Sequence, residues 1–306
     1  MSDAKVLLVG DLELSEAEEP LIGRAKKRFV LFPIAYPEIW ALYKKAQHSF
    51  WTSESFHLKE STTDSQLQRL VSFMASTFDS PTIRDLSGRV SRTIQIQEAR
   101  SYYGFQSMRT SIQLEAYADI LKPHFIDCSP SLQTKMSWIE RQIADPGCEF
   151  SKLVLVDALV RGLFCSGTLT VLEWLVRDNP SSNTSSAIHQ IIRDLHQDVQ
   201  FCYVVFKSLC KRTHPQSLAK VIKEAVGIEQ DFVKDNIRTG LDVTLVNKHI
   251  ECMADKLAIG FGGSPIYHSQ TVFSSEPLNE IETHVGVKKQ ISSLSTAAPL
   301  VLDEDF

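Results

Sequence analysis

Apolar residues recur at helical spacing in long blocks along most of this 306-residue chain, and strict alternation of apolar and polar residues is nearly absent. A stripe that repeats every three to four residues buries one face of an α-helix, whereas a half-buried strand repeats every two residues. Glycine and proline lie mainly at the edges of the blocks, where helices begin and end. The sequence therefore predicts an all-α protein. The predicted helical blocks are 39–50, 67–78, 86–121, 132–143, 150–176, 187–210, 215–232 and 245–259. A serine among residues 181–186 is expected to cap the block that begins at 187, and Thr213 and Pro215 are expected to open the block that follows it.

Three regions differ in composition. Residues 1–27 alternate acidic and basic clusters around little apolar material, which predicts a loose N-terminal arm. The helical blocks fill residues 28–263, and the periodic pattern is lost in residues 264–306, which predicts a flexible tail. On composition alone this tail is either a frayed terminus or a flexible stem whose apolar and acidic tip binds a groove of a partner.

Charge and cysteine content exclude several classes of protein. The 32 Lys and Arg against 37 Asp and Glu give a formal charge of -5, so we expect no binding to nucleic acid or to an anionic membrane. The longest apolar run near the N-terminus is only residues 6–9, and none of the six cysteines forms a C-x-x-C pair. These features predict a cytoplasmic protein with reduced, mostly buried thiols.

A bundle of long helices can hold a di-metal site built from carboxylates and two Glu-x-x-His pairs. The spacing of three residues places the carboxylate and the imidazole on one helix face. The only such pair is Glu54 with His57, beside a predicted helix end, and a single copy there predicts a solvated loop rather than a metal site.

Several segments together carry a resemblance to a known family. They are RFVLFPI (28–34), PEIW (37–40), YKKA (43–46), SFWT (49–52), EAR (98–100), YGFQ (103–106), SG (166–167), RD (193–194), IEQDF (228–232), IE (250–251), AD (254–255) and LDEDF (302–306). In one register over about residues 20–306, they closely resemble the small, radical-carrying subunit of class I ribonucleotide reductase. The resemblance implies a ferritin-like helical bundle, usually dimeric, with a di-iron centre that oxidises a tyrosine. It also implies that the radical passes to a large subunit, where the ribonucleotide is reduced.

The metal-ligand positions of the family are largely changed in this chain. They fall on Asp79, Thr110, Gln113, Arg161, Leu195 and Asp198. Only Asp79, and Asp198 in place of a histidine, could still bind a metal. Because an isolated buried cation is costly, we expect Arg161 to pair with Asp79 and Asp198 in a cluster that replaces the metals. The mapping therefore predicts no metal cofactor.

The radical chemistry that the resemblance implies is only partly retained. The radical position falls on Tyr117, and Trp51 and Asp194 remain from the relay to the surface. The histidine of that relay is Gln113, the tail tyrosine is replaced by Lys288 or a neighbour, and two shielding aromatic positions are Cys165 and Leu169. We therefore interpret Tyr117 and Trp51 as side chains kept because they fill the core.

Three hypotheses about function follow. In the first, the chain is a metal-free, non-catalytic small subunit that pairs with itself or with a metal-bearing small subunit and acts as an assembly or scaffold partner. Its terminal peptide would then bind the large subunit, through Leu302, Asp303, Glu304, Asp305 and Phe306. In the second, it is a metal-free subunit that generates a radical on a modified Tyr117. In the third, the bundle serves an unrelated interaction.

Overall fold

The computed structural model describes residues 7–8, 19–23, 31–58, 64–121, 129–144, 148–178, 182–237, 240–270 and 273. The described residues form ten α-helices, and the predicted all-α fold is confirmed. The helices are α1 (Pro37–His48), α2 (Ser65–Phe78), α3 (Pro81–Thr93), α4 (Gln97–Leu121), α5 (Pro130–Ile143), α6 (Phe150–Gly162), α7 (Ser166–Val176), α8 (Asn183–Ser208), α9 (Pro215–Asn236) and α10 (Val243–Gly260).

The helices pack into a bundle in which α6 lies along α8, α9 lies along α10, and α4 contacts both α1 and α2. A short 3-10 helix, Ser53–Phe56, follows α1. One parallel pair of two-residue strands, β1 (Leu7–Leu8) and β2 (Lys211–Arg212), lies outside this bundle pattern. The long helices α4, α6 and α8 bring their buried faces together and position the site described below.

Helix starts follow the expected capping chemistry. Ser182 precedes α8, and its hydroxyl accepts a hydrogen bond from the backbone N–H of Ser185 at 3.1 Å, which confirms the serine cap expected there. Proline is the first residue of α9, as predicted, but the cap is His214 rather than Thr213.

The predicted block 86–121 is wrong as a single helix. Ser80 caps α3 with Pro81 at its first position, so the helix begins earlier than the apolar pattern indicates. The chain becomes extended at Ile94, and the backbone N–H of Gln95 donates to the carbonyl of Leu21 at 2.8 Å. This bond between distant residues satisfies a backbone N–H group that the interruption takes out of the helix. The interruption contains neither glycine nor proline.

The predicted block 150–176 is likewise two helices, α6 and α7. In the turn between α6 and α7, the N–H of Phe164 donates to the carbonyl of Leu159 at 2.9 Å. This acceptor is one residue further back than in an α-helix. By length and composition alone this stretch could cross a membrane, but its apolar window is wholly buried in the bundle. It forms the centre of the core.

The predicted N-terminal arm contains a packed turn at residues 19–23. Leu21 is buried, and one carboxylate oxygen of Glu19 accepts from the backbone N–H groups of Cys210 and Lys211 at 2.7 and 3.1 Å. At the other end, residues 264–270 and 273 belong to the compact unit, which closes at Phe273. Residues 274–306, the rest of the predicted tail, lie outside the described residues.

A substitution at Gly167 tests how tightly α7 packs. A Cβ atom there would lie 2.4 Å from Val233 Cγ2 and 2.9 Å from Glu229 Oε1. We expect Gly167→Ala to lower the free energy of unfolding by about 1–3 kcal/mol, measured by chemical denaturation. Gly227→Ala is the control, because no atom lies within 4 Å of its Cβ position, and it should stabilise α9 by about 0.5–1 kcal/mol. Equal effects of the two substitutions would contradict the close contact.

Candidate functional site: a buried arginine–aspartate cluster

Five charged side chains meet in the centre of the bundle. Arg109 comes from α4, Asp157 and Arg161 come from α6, and Asp194 and Asp198 come from α8. No side chain of the five is more than 3% exposed. We call this group the arginine–aspartate cluster.

Asp198 lies between the two guanidinium groups and contacts each with a different oxygen. Its Oδ1 accepts from Arg109 Nη2, and its Oδ2 accepts from Arg161 Nη1 at 3.2 Å. Arg109 Nη1 also lies 3.3 Å from Asp194 Oδ1, and Arg161 Nε lies 3.0 Å from Asp157 Oδ1. Each arginine therefore joins two carboxylates, and Asp198 is shared by both.

Neutral donors also form hydrogen bonds to the three carboxylates. Trp51 Nε1 and Gln113 Nε2 donate to Asp194 Oδ2 at 2.9 and 3.2 Å. The hydroxyl of Tyr102 donates to Asp198 Oδ1 at 2.9 Å, and the thiol of Cys202 lies 3.6 Å from Asp157 Oδ2. All six carboxylate oxygens of the cluster thus accept a hydrogen bond, which offsets the cost of burying three negative charges against two positive ones.

The electrostatics of the cluster reflect burial opposed by pairing. Burial raises the pKa of Asp157 and Asp194, while Arg161 and Arg109 respectively oppose the shift. Burial disfavours the charged form of both arginines, but the carboxylates around them outweigh this effect and raise the pKa of each guanidinium. The two arginines are therefore permanent cations at the centre of the bundle.

One half of the predicted pairing of Arg161 is confirmed and the other half is wrong. Arg161 does pair with Asp198, but Asp79 lies at the C-terminal cap of α2 with 67% of its side chain exposed. There Asp79 pairs with Arg84 at 2.8 Å, because the cap of α2 points it toward solvent rather than into the bundle.

Sequence reasoning missed Asp157 and Arg109. Asp157 could have been found, because it precedes Arg161 by four residues on an otherwise apolar helix. The sequence signal for Arg109 was weaker. Its only indication was that it precedes Gln113 by four residues and so shares a buried face of α4 with it.

The other positions that the resemblance assigns to metal ligands do not offer them. Thr110 donates to the carbonyl of Gln106 in its own helix at 3.0 Å, Gln113 is bound to Asp194, and Leu195 is buried and apolar. Among the described residues, no three His, Cys, Asp or Glu side chains are arranged to hold a metal ion. With two guanidinium groups already against the carboxylates, the residues present do not fit a di-metal centre.

Tyr117 is buried on α4, and its hydroxyl has no hydrogen-bond partner among the described residues. Burial raises the pKa of its phenol, as do the nearby Cys165 and Asp194. A tyrosine loses its phenolic proton when it is oxidised to a neutral radical, and no described acceptor is bonded to this one. The interpretation of Tyr117 as a side chain that fills the core stays a prediction.

The bundle architecture defines the chain as a ferritin-like helical protein, and comparison with known proteins gives its family. A model of the family described as "Ribonucleotide reductase, small chain" matches residues 28–277. The chain therefore belongs to the small-chain family of ribonucleotide reductases.

Individual relatives agree with this assignment. The chain is 32% identical to the ribonucleoside-diphosphate reductase small chain of Neurospora crassa, over 86% of this chain and 70% of that one. It is 30% identical to small chain 1 of Saccharomyces cerevisiae, over 86% and 72% of the two chains. Its fold is similar to the ribonucleotide reductase Rnr4 homodimer from Saccharomyces cerevisiae, with a TM-score of 0.77 and 28% identity, covering 88% of this chain and 93% of that chain.

Proposed function

We propose that this chain is a metal-free, non-catalytic small subunit of ribonucleotide reductase that acts in cytoplasmic deoxyribonucleotide synthesis. It would serve as the assembly partner of a metal-bearing small subunit and of the large subunit. The observation that carries the proposal is the contact of Arg109 and Arg161 with the shared carboxylate of Asp198. Two buried cations that share a carboxylate can hold the centre of the bundle together without a metal ion, which supports the proposal.

An exposed aromatic face supports pairing with a second small subunit. Phe105 lies 6.0 Å, between ring centroids, from both Tyr43 and Phe50, so the face continues from α4 across α1. Phe32, Phe50 and Met108 on this face are 66%, 45% and 42% exposed. Large apolar side chains grouped on a surface are typical of a protein interface. The occupant we propose is the matching face of another small subunit, since a solved relative is a homodimer.

The terminal peptide 302–306 is the proposed contact with the large subunit. Its sequence, LDEDF, combines an aromatic end with three carboxylates, as in a peptide that fills an apolar groove with a basic rim. A synthetic peptide of the last seven residues should compete with the full chain for the large subunit. Replacement of Phe306 by Ala in that peptide should weaken competition at least tenfold, and no competition by the native peptide would contradict the docking role.

The absence of a radical and the assembly role are tested together. We expect the purified chain, after anaerobic iron loading and exposure to oxygen, to give no tyrosyl signal in electron paramagnetic resonance and to retain no iron. Added to a metal-bearing small subunit and the large subunit, it should raise the yield of radical in the partner. A signal in this chain that disappears in Tyr117→Phe would instead establish a radical subunit and contradict the proposal.

The second candidate, a metal-free subunit with a modified Tyr117, rests on the retained phenol and on Arg161 among the former ligand positions. Intact-mass analysis of the chain from its own cells distinguishes the two. An unmodified mass favours the assembly role, whereas added oxygen at Tyr117 would favour the radical subunit.

A further inference from the structure

The segment after the last helix folds back along α10, and we call residues 264–270 the tail root. Asp255 holds it by accepting three backbone N–H groups, from Ile266 at 2.6 Å, Tyr267 at 2.8 Å and Ser269 at 3.0 Å. Further along, the ring of Phe273 contacts the ring of His249. Phe273 therefore lies beside α10, close to the tail root.

Ser269 is the point at which the tail root meets two carboxylates. Its hydroxyl donates to Glu251 Oε2 at 2.5 Å, while its backbone N–H donates to Asp255 Oδ2. Glu251 and Asp255 lie four residues apart, on one face of α10. Neither carboxylate forms an ion pair within the described part of the chain, and the other donor to Glu251 is the neutral amide of Gln230 at 3.3 Å. Two carboxylates therefore lie close to the hydroxyl.

The tail root is open to another protein at this point. Ser269 is only half-buried, and its neighbours His268 and Gln270 are exposed. His268 has a φ of 54°, so the backbone bends sharply immediately before the serine. An exposed bend beyond the last helix can enter the active site of a protein kinase without unfolding the bundle.

We propose that Ser269 is a phosphorylation site that releases the tail root from α10. The Ser269 hydroxyl oxygen attacks the γ-phosphorus of ATP in a protein kinase, the bond from that phosphorus to the β–γ bridging oxygen breaks, and ADP leaves. The hydroxyl proton passes to the base of the kinase. Because residues 302–306 are the proposed contact with the large subunit, this step would regulate the reach of that peptide, and the inference rests on the proposed function to this extent.

The physical cause of release is repulsion between like charges. A phosphoserine carries close to two negative charges at neutral pH. Here it would replace a hydrogen-bond donor by an anion that faces Glu251 and Asp255. The partial burial of Tyr267, together with these two carboxylates, already raises the pKa of the Tyr267 phenol, which agrees with a negative local potential. Repulsion from these carboxylates favours a tail root that is lifted away from α10.

Hydrogen exchange measures release without any partner protein. The amides of Ile266, Tyr267 and Ser269 are protected by Asp255, so their exchange reports the attachment directly. In the full chain with phosphoserine incorporated at position 269, we expect these amides to exchange at least tenfold faster, with unchanged exchange in α10. Ser269→Glu should give a smaller acceleration, because it adds one charge.

Two variants serve as controls. Ser264→Glu adds a charge to an exposed position of the same segment, and Ser269→Ala removes the hydroxyl without adding charge, so both should retain protection of the three amides. If phosphorylated protein exchanged at the unmodified rate, the inference would be wrong, whether or not the terminal peptide binds the large subunit. Phosphopeptide mapping of the chain from its own cells should find phosphate on Ser269, and its absence would also overturn the inference.

Discussion

Arg161→Met is expected to lower the free energy of unfolding by about 3–5 kcal/mol, because it leaves buried carboxylates without their cation. Arg161 bonds Asp157 at 3.0 Å and Asp198 at 3.2 Å, and all three side chains are almost fully buried. Methionine fills similar space, so the loss reports charge rather than a cavity. Denaturant unfolding monitored by circular dichroism at pH 8 measures it.

The control for this substitution is Arg84→Met. Arg84 makes a similar ion pair with Asp79, but 62% and 67% of the two side chains are exposed, so we expect a change within about 0.5 kcal/mol. The double variant Arg161→Met/Asp157→Asn should recover part of the loss, because it removes one of the stranded carboxylates. The defect should also shrink at pH 5, where carboxylates whose pKa is raised in the folded state can take up a proton. A loss that the double variant and the lower pH left unchanged would argue for packing rather than charge.

Lys135→Met, at a second buried ion pair, is expected to lower the free energy of unfolding by about 3–5 kcal/mol. Lys135 Nζ lies 2.5 Å from Glu229 Oε2 and donates to the carbonyl of Phe164 at 2.8 Å. Glu229 also accepts from the N–H of Gly167 at 3.1 Å. The pair therefore satisfies a backbone carbonyl within the break between α6 and α7 and a backbone N–H at the start of α7, and its loss should loosen that junction. Calorimetric melting at pH 7 measures the effect.

Lys211→Met is the matched control for the second pair. Lys211 lies 3.8 Å from Glu149, and both side chains are 37% exposed, so its replacement should change stability by less than about 0.5 kcal/mol. Burial raises the pKa of Glu229, and the ammonium of Lys135 opposes that shift. Without Lys135 the carboxyl should hold its proton to higher pH, so the variant should become less stable as pH rises from 5 to 8. No pH dependence, or a loss equal to that of the control, would contradict this account.

The centre of the arginine–aspartate cluster is a pair of cations joined by one carboxylate. Each oxygen of Asp198 contacts a different guanidinium, Asp194 and Asp157 serve as the outer carboxylates, and neutral donors occupy the remaining lone pairs. Such a cluster comes with the polypeptide itself, so its stabilising effect is independent of any metal supply. This property is consistent with the proposed assembly role.

The sequence alone determined the class of the protein because helical periodicity and motif order are local. The all-α fold, the serine cap of α8, the proline start of α9 and the family were all predicted from residues close together in the chain or from their order. The pairing of Arg161 with Asp198 was also predicted without a structure.

The tertiary structure decided which charges meet and where helices are interrupted. Arg109 and Asp198 are 89 residues apart in sequence, and Lys135 is 29 residues from the carbonyl that it satisfies. Periodicity shows which face of a helix is buried, but the rotation and axial position of neighbouring helices select the partner on that face. For this reason Asp79, the expected partner of Arg161, lies at an exposed helix end, while Arg109 and Asp157 complete the cluster.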